Sequence, residues 1–122
     1  MAETIADEGV VETDADRLRV VERHVEAYNN HDLATIASLY IDDIPVMDGE
    51  EERVRGKEDL IELVFKHQFE NDCRVEVLHR IVQGDWVIDH QSMYGTARGD
   101  DARLVVGYRV RGGLIDLAVY LA

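Results

Sequence analysis

The chain has 122 residues and a mass of 13.9 kDa, the size of one domain, and its 46% hydrophobic content is typical of a globular protein. It carries 26 acidic against 13 basic residues, a formal net charge of -13. The electric field of so negative a chain repels phosphate backbones and anionic lipids, so we expect neither nucleic acid nor a membrane surface as a partner.

The beginning of the chain differs in pattern from the rest. Residues 1–13 are acidic and show no helical or strand periodicity, which predicts a flexible leader ahead of one domain at residues 14–122. From Asp14, a suitable N-cap, apolar residues recur at helical spacing. The first helix is therefore predicted over about residues 14–30.

Two further helices and then four strands follow in the predicted order. Asp32 can cap a second, shorter helix, and Pro45 prevents it from continuing into the next segment. A third helix is predicted over about residues 57–70, after the charged loop at residues 50–55. Beyond it the apolar period changes from helical to alternating, with breaks short enough for antiparallel hairpins. The predicted strands cover about residues 74–82, 86–94, 102–111 and 114–121.

Helices followed by a meander of strands indicate an α+β fold, in which the helices cover one face of a curved antiparallel sheet. This order, with the local sequences of residues 26–33, 39–43, 56–58 and 119–121, resembles the nuclear transport factor 2-like superfamily, which includes SnoaL-like and ketosteroid isomerase-like proteins. The resemblance implies three N-terminal helices packed on the sheet of a cone-shaped, cystatin-like barrel with a central apolar pocket. It also implies a homodimer formed through the outer face of the sheet.

Asp48 is the first candidate catalytic residue. Relative to Leu39–Asp43 it falls where the resemblance places the catalytic base of ketosteroid isomerase. At the rim of an apolar pocket, desolvation would disfavour its charged form and suit it to proton abstraction next to a carbonyl. The alternative is a loop aspartate that fixes a turn through its own backbone.

Two more positions follow from the same resemblance. His24 stands at the position of the oxyanion-hole tyrosine of ketosteroid isomerase, and Val106 stands at the position of that enzyme's protonated aspartate. A histidine can donate a hydrogen bond but a valine cannot, so that oxyanion hole is not preserved. The alternative for His24 is a helix-face histidine with a local partner.

The second predicted strand of the meander mixes polar and apolar residues on both of its faces, so its register is open. The resemblance of Trp86–Asp89 to the family's strand puts Asp89 and Gln91 inside, where Asp89 would need a partner such as His24, Gln91 or a ligand. In the other register Asp89 lies at the surface or in a dimer interface. Gln91 and Met93 also stand where limonene epoxide hydrolase has its Arg-x-Asp pair, so that machinery is absent.

The candidate site thus comprises catalytic and substrate-binding groups and no metal ligands. The five histidines lack the spacing of a metal site, and no sequence for binding a cofactor is present, so we expect neither. Core packing is the alternative for the aromatic members. The catalytic candidates are Asp48, His24 and Asp89, and the substrate-binding candidates are Tyr28, Phe65, Gln91, Val106 and Tyr108.

The leading functional hypothesis is a cofactor-independent isomerase, cyclase or dehydratase that uses Asp48 for proton transfer on an apolar, carbonyl-containing small molecule. The alternative is a non-catalytic ligand-binding or dimerisation module of the same fold. Cys73 is the sole cysteine, so no internal disulfide can form, and no segment approaches the roughly 20 apolar residues of a membrane span. Residues 1–13 also lack the pattern of a signal peptide, and a cytoplasmic location is expected.

Overall fold

The computed structural model describes residues 4–5, 11–95 and 102–122. Most of the predicted leader, residues 1–13, lies outside the described residues. Within it, strand β1 (Thr4–Ile5) pairs antiparallel with strand β2 (Val11–Glu12). None of the helices in the described ranges is long and apolar enough to cross a membrane.

Two helices follow, α1 (Asp14–Asn29) and α2 (Leu33–Leu39). The cap of α1 is Thr13, one residue before the predicted Asp14. Its hydroxyl accepts from the Asp16 N–H at 3.2 Å, and the Asp16 carboxylate accepts from the Thr13 N–H at 3.0 Å. This reciprocal pair satisfies two backbone donors, which a cap at Asp14 would leave unpaired. Asp32 caps α2 as predicted, accepting from the Thr35 N–H at 3.1 Å.

The third helix is continuous but not uniform. It begins as α3 (Lys57–Leu60), widens into a π-helical segment (Ile61–Phe65) and ends as α4 (Lys66–Glu70). A π-helical segment takes one more residue per hydrogen-bonded turn than an α-helix does, and such segments are frequent beside functional sites. This one faces the cleft described below.

The main sheet has six strands in the order β4-β3-β8-β7-β6-β5. The four predicted strands of the meander are present. The predicted loop at residues 50–55 instead contributes β4, which pairs with β3 and satisfies its backbone groups there. The sheet is mixed, because β3 runs parallel to β8 while the other pairs are antiparallel. The strands are β3 (Pro45–Asp48), β4 (Glu51–Arg55), β5 (Arg74–Gln83), β6 (Trp86–Tyr94), β7 (Ala102–Arg111) and β8 (Leu114–Tyr120).

The helices cover the inner face of this sheet, and the core lies between them, so the α+β prediction is confirmed. Val21 of α1, Ile36 of α2 and Val87 of β6 are all buried members of this core. Asn29, the last residue of α1, pairs with the backbone of Val75 on the edge strand β5. Its side-chain amide accepts from the Val75 N–H at 2.8 Å and donates to the Val75 carbonyl at 2.9 Å.

Acidic side chains surround a buried arginine where the chain enters α1. Arg17 is fully buried, and its guanidinium lies 3.7 Å from Glu12, 3.5 Å from Asp14 and 3.6 Å from Asp85. Glu12 is itself buried and accepts from the backbone N–H groups of residues 112 and 113, at 3.1 Å and 2.7 Å, in the turn between β7 and β8. Ion pairs and charge-assisted hydrogen bonds therefore hold the chain just before α1 against the end of the sheet that carries the β7–β8 turn.

Candidate functional site

An open cleft of about 560 Å³ lies between the third helix, the β3–β4 hairpin and the inner face of the sheet. Most of its wall is apolar, with side chains from the third helix facing those of β3, β6, β7 and β8. The polar members are Asp48 and Arg53 on the hairpin and His67 and Gln68 on α4. The apolar members include Val46, Val54, Leu60, Leu63, Val64, Met93 and Leu104.

A small cavity of about 20 Å³ adjoins this cleft and shares Gln68, Met93 and Tyr120 with it. We call this cavity the inner end. It is far more polar than the cleft, because three tyrosine hydroxyls, two glutamine amides and one imidazole surround it. Its lining consists of His24, Tyr28, Phe65, Gln68, Val75, Gln91, Met93, Tyr108 and Tyr120.

Asp48 ends β3 at the rim of the cleft. Its side chain is 58% exposed, and its carboxylate accepts from the Arg53 guanidinium at 3.3 Å. The structure thus places Asp48 on the cleft wall. The burial on which the sequence argument for a strong base relied is not present in the open cleft.

The structure determines which side chains of β6 face the inside of the fold. Val87, Asp89 and Gln91 are buried on the inner face, as the resemblance of Trp86–Asp89 indicated. The partner of Asp89 is Arg80 on β5, a residue that sequence reasoning missed. Its Nε and Nη2 donate to the two Asp89 oxygens at 2.6 Å and 2.8 Å.

A signal for Arg80 was present in the sequence. Counting outward from the Gly84–Asp85 turn of a tight hairpin pairs Arg80 with Asp89, and this is the observed register. Opposite charges directly across two antiparallel strands stabilise each other. Gln91 was named as a possible partner of Asp89, and its Nε2 does donate to Asp89 at 3.2 Å.

Tyr108 lies beside Gln91 at the inner end. Burial raises the pKa of Tyr108 well above its ordinary value, and the neighbouring Gln91 side chain opposes that shift in part. Tyr28 donates its own hydroxyl to the side-chain carbonyl of Gln68 at 2.7 Å.

His24 occupies the centre of an aromatic cluster. Its ring lies 5.4 Å from that of Tyr40, 5.2 Å from that of Tyr108 and 6.3 Å from that of Phe65, measured between ring centres. Burial lowers its pKa to about 4, although the charge of Asp89 acts in the opposite direction. His24 is therefore neutral at pH 7, and the Tyr40 hydroxyl lies 3.4 Å from each of its ring nitrogens.

The structure brings some of the predicted site residues together and separates others. His24, Tyr28, Phe65, Gln91 and Tyr108 all line the inner end. Asp89 lies behind Gln91 with Arg80, and Asp48 lies apart from both, at the outer rim. Val106 is fully buried in the core and lines neither the cleft nor the inner end. Within the described part of the chain, no group of three or more metal-ligating side chains is close enough to hold a metal ion.

Comparison with known proteins agrees with this architecture. Residues 21–117 match the sequence profile of the SnoaL-like domain. No curated protein matches the chain significantly. An uncharacterised cystatin-fold protein from Novosphingobium aromaticivorans is similar in structure, with a TM-score of 0.78 and 17% identity over 87% of this chain and 97% of its own.

Two other similar structures carry functional names. A candidate ketosteroid isomerase from Kribbella flavida has a TM-score of 0.74 and 18% identity, over 88% of this chain and 77% of its own. An LEH-like epoxide hydrolase from M. tuberculosis has a TM-score of 0.72 and 17% identity, over 88% of this chain and 82% of its own. At such identities these likenesses show the fold alone.

Proposed function

The chain belongs to the SnoaL-like domain family, and we propose that it binds an apolar, carbonyl-containing small molecule in the cleft and transfers a proton on it through Asp48. The reaction would be an isomerisation, cyclisation or dehydration that needs no cofactor. The observation that carries the proposal is the position of Asp48, a carboxylate on the wall of a mostly apolar cleft. A candidate ketosteroid isomerase among the similar structures is consistent with this chemistry.

The proposed reaction has two stages: the ligand first removes water from Asp48, and Asp48 then transfers the proton. Entry of an apolar ligand displaces water from around Asp48 and removes the solvation that favours its charged form, which makes the carboxylate a stronger base. Asp48 then takes a proton from the carbon next to the carbonyl, and the electron pair moves onto the carbonyl oxygen. In an isomerisation, the same carboxylate then returns the proton at another position.

A second group on the cleft wall is suited to assist this step. His67 lines the cleft together with Asp48, from the opposite side formed by α4. An imidazole can donate a hydrogen bond to an oxygen that gains charge, the task for which proton abstraction needs an electrophilic partner. A base and a donor facing one cleft are the minimum for this reaction class.

A non-catalytic ligand-binding or dimerisation module is the second candidate. The exposure of Asp48 and its ion pair with Arg53 favour it, because a paired and solvated carboxylate is a weak base.

Hydrogen–deuterium exchange separates the two candidates without knowledge of the natural substrate. Apolar ketones such as 1-tetralone are incubated with the protein in D₂O, and NMR records loss of the protons next to the carbonyl. General-base catalysis predicts that Asp48→Asn lowers the protein-dependent rate by about 10²-fold or more. Glu51→Gln is the matched control, since Glu51 is exposed on β4 and is not part of the cleft lining.

Two results would count against proton transfer by Asp48. Equal exchange rates in Asp48→Asn and the unmodified protein would remove Asp48 from the reaction. Saturable binding of the ketones with no exchange above the buffer rate would favour the non-catalytic module.

A further inference from the structure

We propose that the carbonyl oxygen of Gln91 accepts a hydrogen bond from a ligand hydroxyl at the inner end, and that Arg80 and Asp89 are positioning residues that orient the Gln91 amide. The ligand class is then an apolar alcohol, phenol or enol. The inference rests on the proposed binding of a small molecule in the cleft. It adds which polar group of that molecule points inward.

The first step is the orientation of the amide. Both oxygens of Asp89 accept from Arg80, and Asp89 is fully buried. A carboxylate paired in this way only accepts hydrogen bonds. The amide nitrogen of Gln91 must therefore face Asp89, as the 3.2 Å contact shows, because the reverse orientation would set two acceptors against each other.

The second step concerns the other end of the amide. Gln91 uses its nitrogen for Asp89. Among the described residues, none donates a hydrogen bond to the carbonyl oxygen of Gln91, although Gln91 is buried and lines the inner end. An amide oxygen that lines a cavity and accepts from no described residue is free to accept from a donor outside the chain.

The third step is the size of the space. A volume of about 20 Å³ accommodates one water molecule or one hydroxyl group and little else. The inner end also adjoins the cleft at Met93 and Tyr120, so a ligand whose body lies in the cleft can place one small group there.

A hydroxyl group fits this space better than a carbonyl does. The hydroxyl donates to Gln91 and can accept from the Tyr108 hydroxyl, whereas a ketone oxygen only accepts and leaves the Gln91 oxygen unpaired. The hydroxyl therefore points inward, and any reacting carbonyl lies outward, nearer Asp48.

Three matched probes test the assignment by isothermal titration calorimetry: tetralin, 1-tetralol and 1-tetralone. They share one ring system and differ in a single polar group. We expect 1-tetralol to bind about three- to tenfold more tightly than 1-tetralone, the ratio that one hydrogen bond supplies. Gln91→Met should abolish that preference while tetralin still binds. Gln83→Met, a matched change at an exposed position on β5, should keep it.

The positioning role has its own variant. Asp89→Asn lets the Gln91 amide turn over, because an asparagine can donate as well as accept. We expect the ratio of the affinity for 1-tetralol to that for 1-tetralone to fall toward one, while the affinity for tetralin is retained. Loss of packing alone would not produce this change. Circular dichroism verifies folding, and Gln91→Met tests the acceptor even if Asp89→Asn does not fold.

The outcomes separate this inference from the proposed function. If none of the three probes binds, both fail. If all three bind equally, or if Gln91→Met keeps the preference for the alcohol, the inner end holds a water molecule only and the assignment to Gln91 is overturned. In that case binding in the cleft still stands.

Discussion

Replacing Glu12 with glutamine tests how much its ion pair with Arg17 and its hydrogen bonds to the β7–β8 turn stabilise the fold. The substitution keeps the shape of the side chain and removes the charge 3.7 Å from the buried guanidinium of Arg17. It also turns two charge-assisted hydrogen bonds from the β7–β8 turn into weaker ones, and one of those donors then faces an amide nitrogen. We expect Glu12→Gln to lower the free energy of unfolding.

The size of the effect follows from the surroundings of Arg17. At an effective dielectric constant of about 20, a pair at this separation attracts by roughly 4 kcal/mol, and removal of one partner from a buried pair commonly costs about 3–5 kcal/mol. Asp14 and Asp85 remain within 3.6 Å of Arg17 and keep part of the compensation. The expected loss is therefore about 2–3 kcal/mol.

Urea unfolding at pH 7 measures this loss, with Glu51→Gln as the exposed control. The double variant Glu12→Gln/Arg17→Met removes the buried charge as well, so it should be more stable than Glu12→Gln alone. Unchanged stability in Glu12→Gln would show that Arg17 does not depend on Glu12. A double variant less stable than Glu12→Gln would show that packing of the Arg17 stem matters more than its charge.

Two further predictions concern pH and assembly. The folded pKa of His24, about 4, lies below the unfolded value of 6.5, so the unfolded chain takes up a proton that the folded one excludes and stability falls as pH drops below 6.5. The free energy of unfolding should fall by about 2 kcal/mol at pH 5. His24→Phe cannot titrate at this position, so its urea unfolding should lack this pH-dependent loss. An equal pH dependence in both proteins would contradict the prediction. We also propose a homodimer through the outer sheet face, where Trp86, Ile88, Val119 and Leu121 line an apolar groove of about 270 Å³. Light scattering should give twice 13.9 kDa, and Ile88→Glu should give a monomer; a monomeric unmodified protein at micromolar concentration would refute it.

The sequence was sufficient for the order of the three helices and the four strands of the meander, because each change of apolar period there marks a change of structure. The Asp32 cap also followed from a local pattern, whereas the inward position of Asp89 was implied by the family resemblance and not by the alternation of the strand. Strand β4 did not, because four of its five side chains are charged and exposed and show no alternation; its pairing with β3 makes it a strand. The π-helical segment at Ile61–Phe65 was also missed, since one extra residue in a short helix barely alters the apolar spacing.

The candidate site was harder to predict than the fold, because it depends on side-chain contacts between distant residues. The family resemblance placed Asp48 beside the cleft but could not show that Arg53 pairs with it or that its side chain is exposed. Arg80 was readable only through the register of a hairpin. The inner end needed the structure, since it combines residues from α1, the third helix and four strands.

The pairing of Asn29 with Val75 has a consequence for aggregation. An edge strand offers free N–H and carbonyl groups to any other extended chain, and β5 is one edge of the sheet. The Asn29 amide occupies both groups of Val75 in the way a neighbouring strand would, so a foreign strand cannot continue the ladder past this point. The opposite edge, β4, carries mostly charged side chains, and the bulge in its pairing with β3 twists it away from a flat template. The Asn29 pairing on β5 and the charge and bulge of β4 therefore both disfavour amyloid-like growth by strand addition.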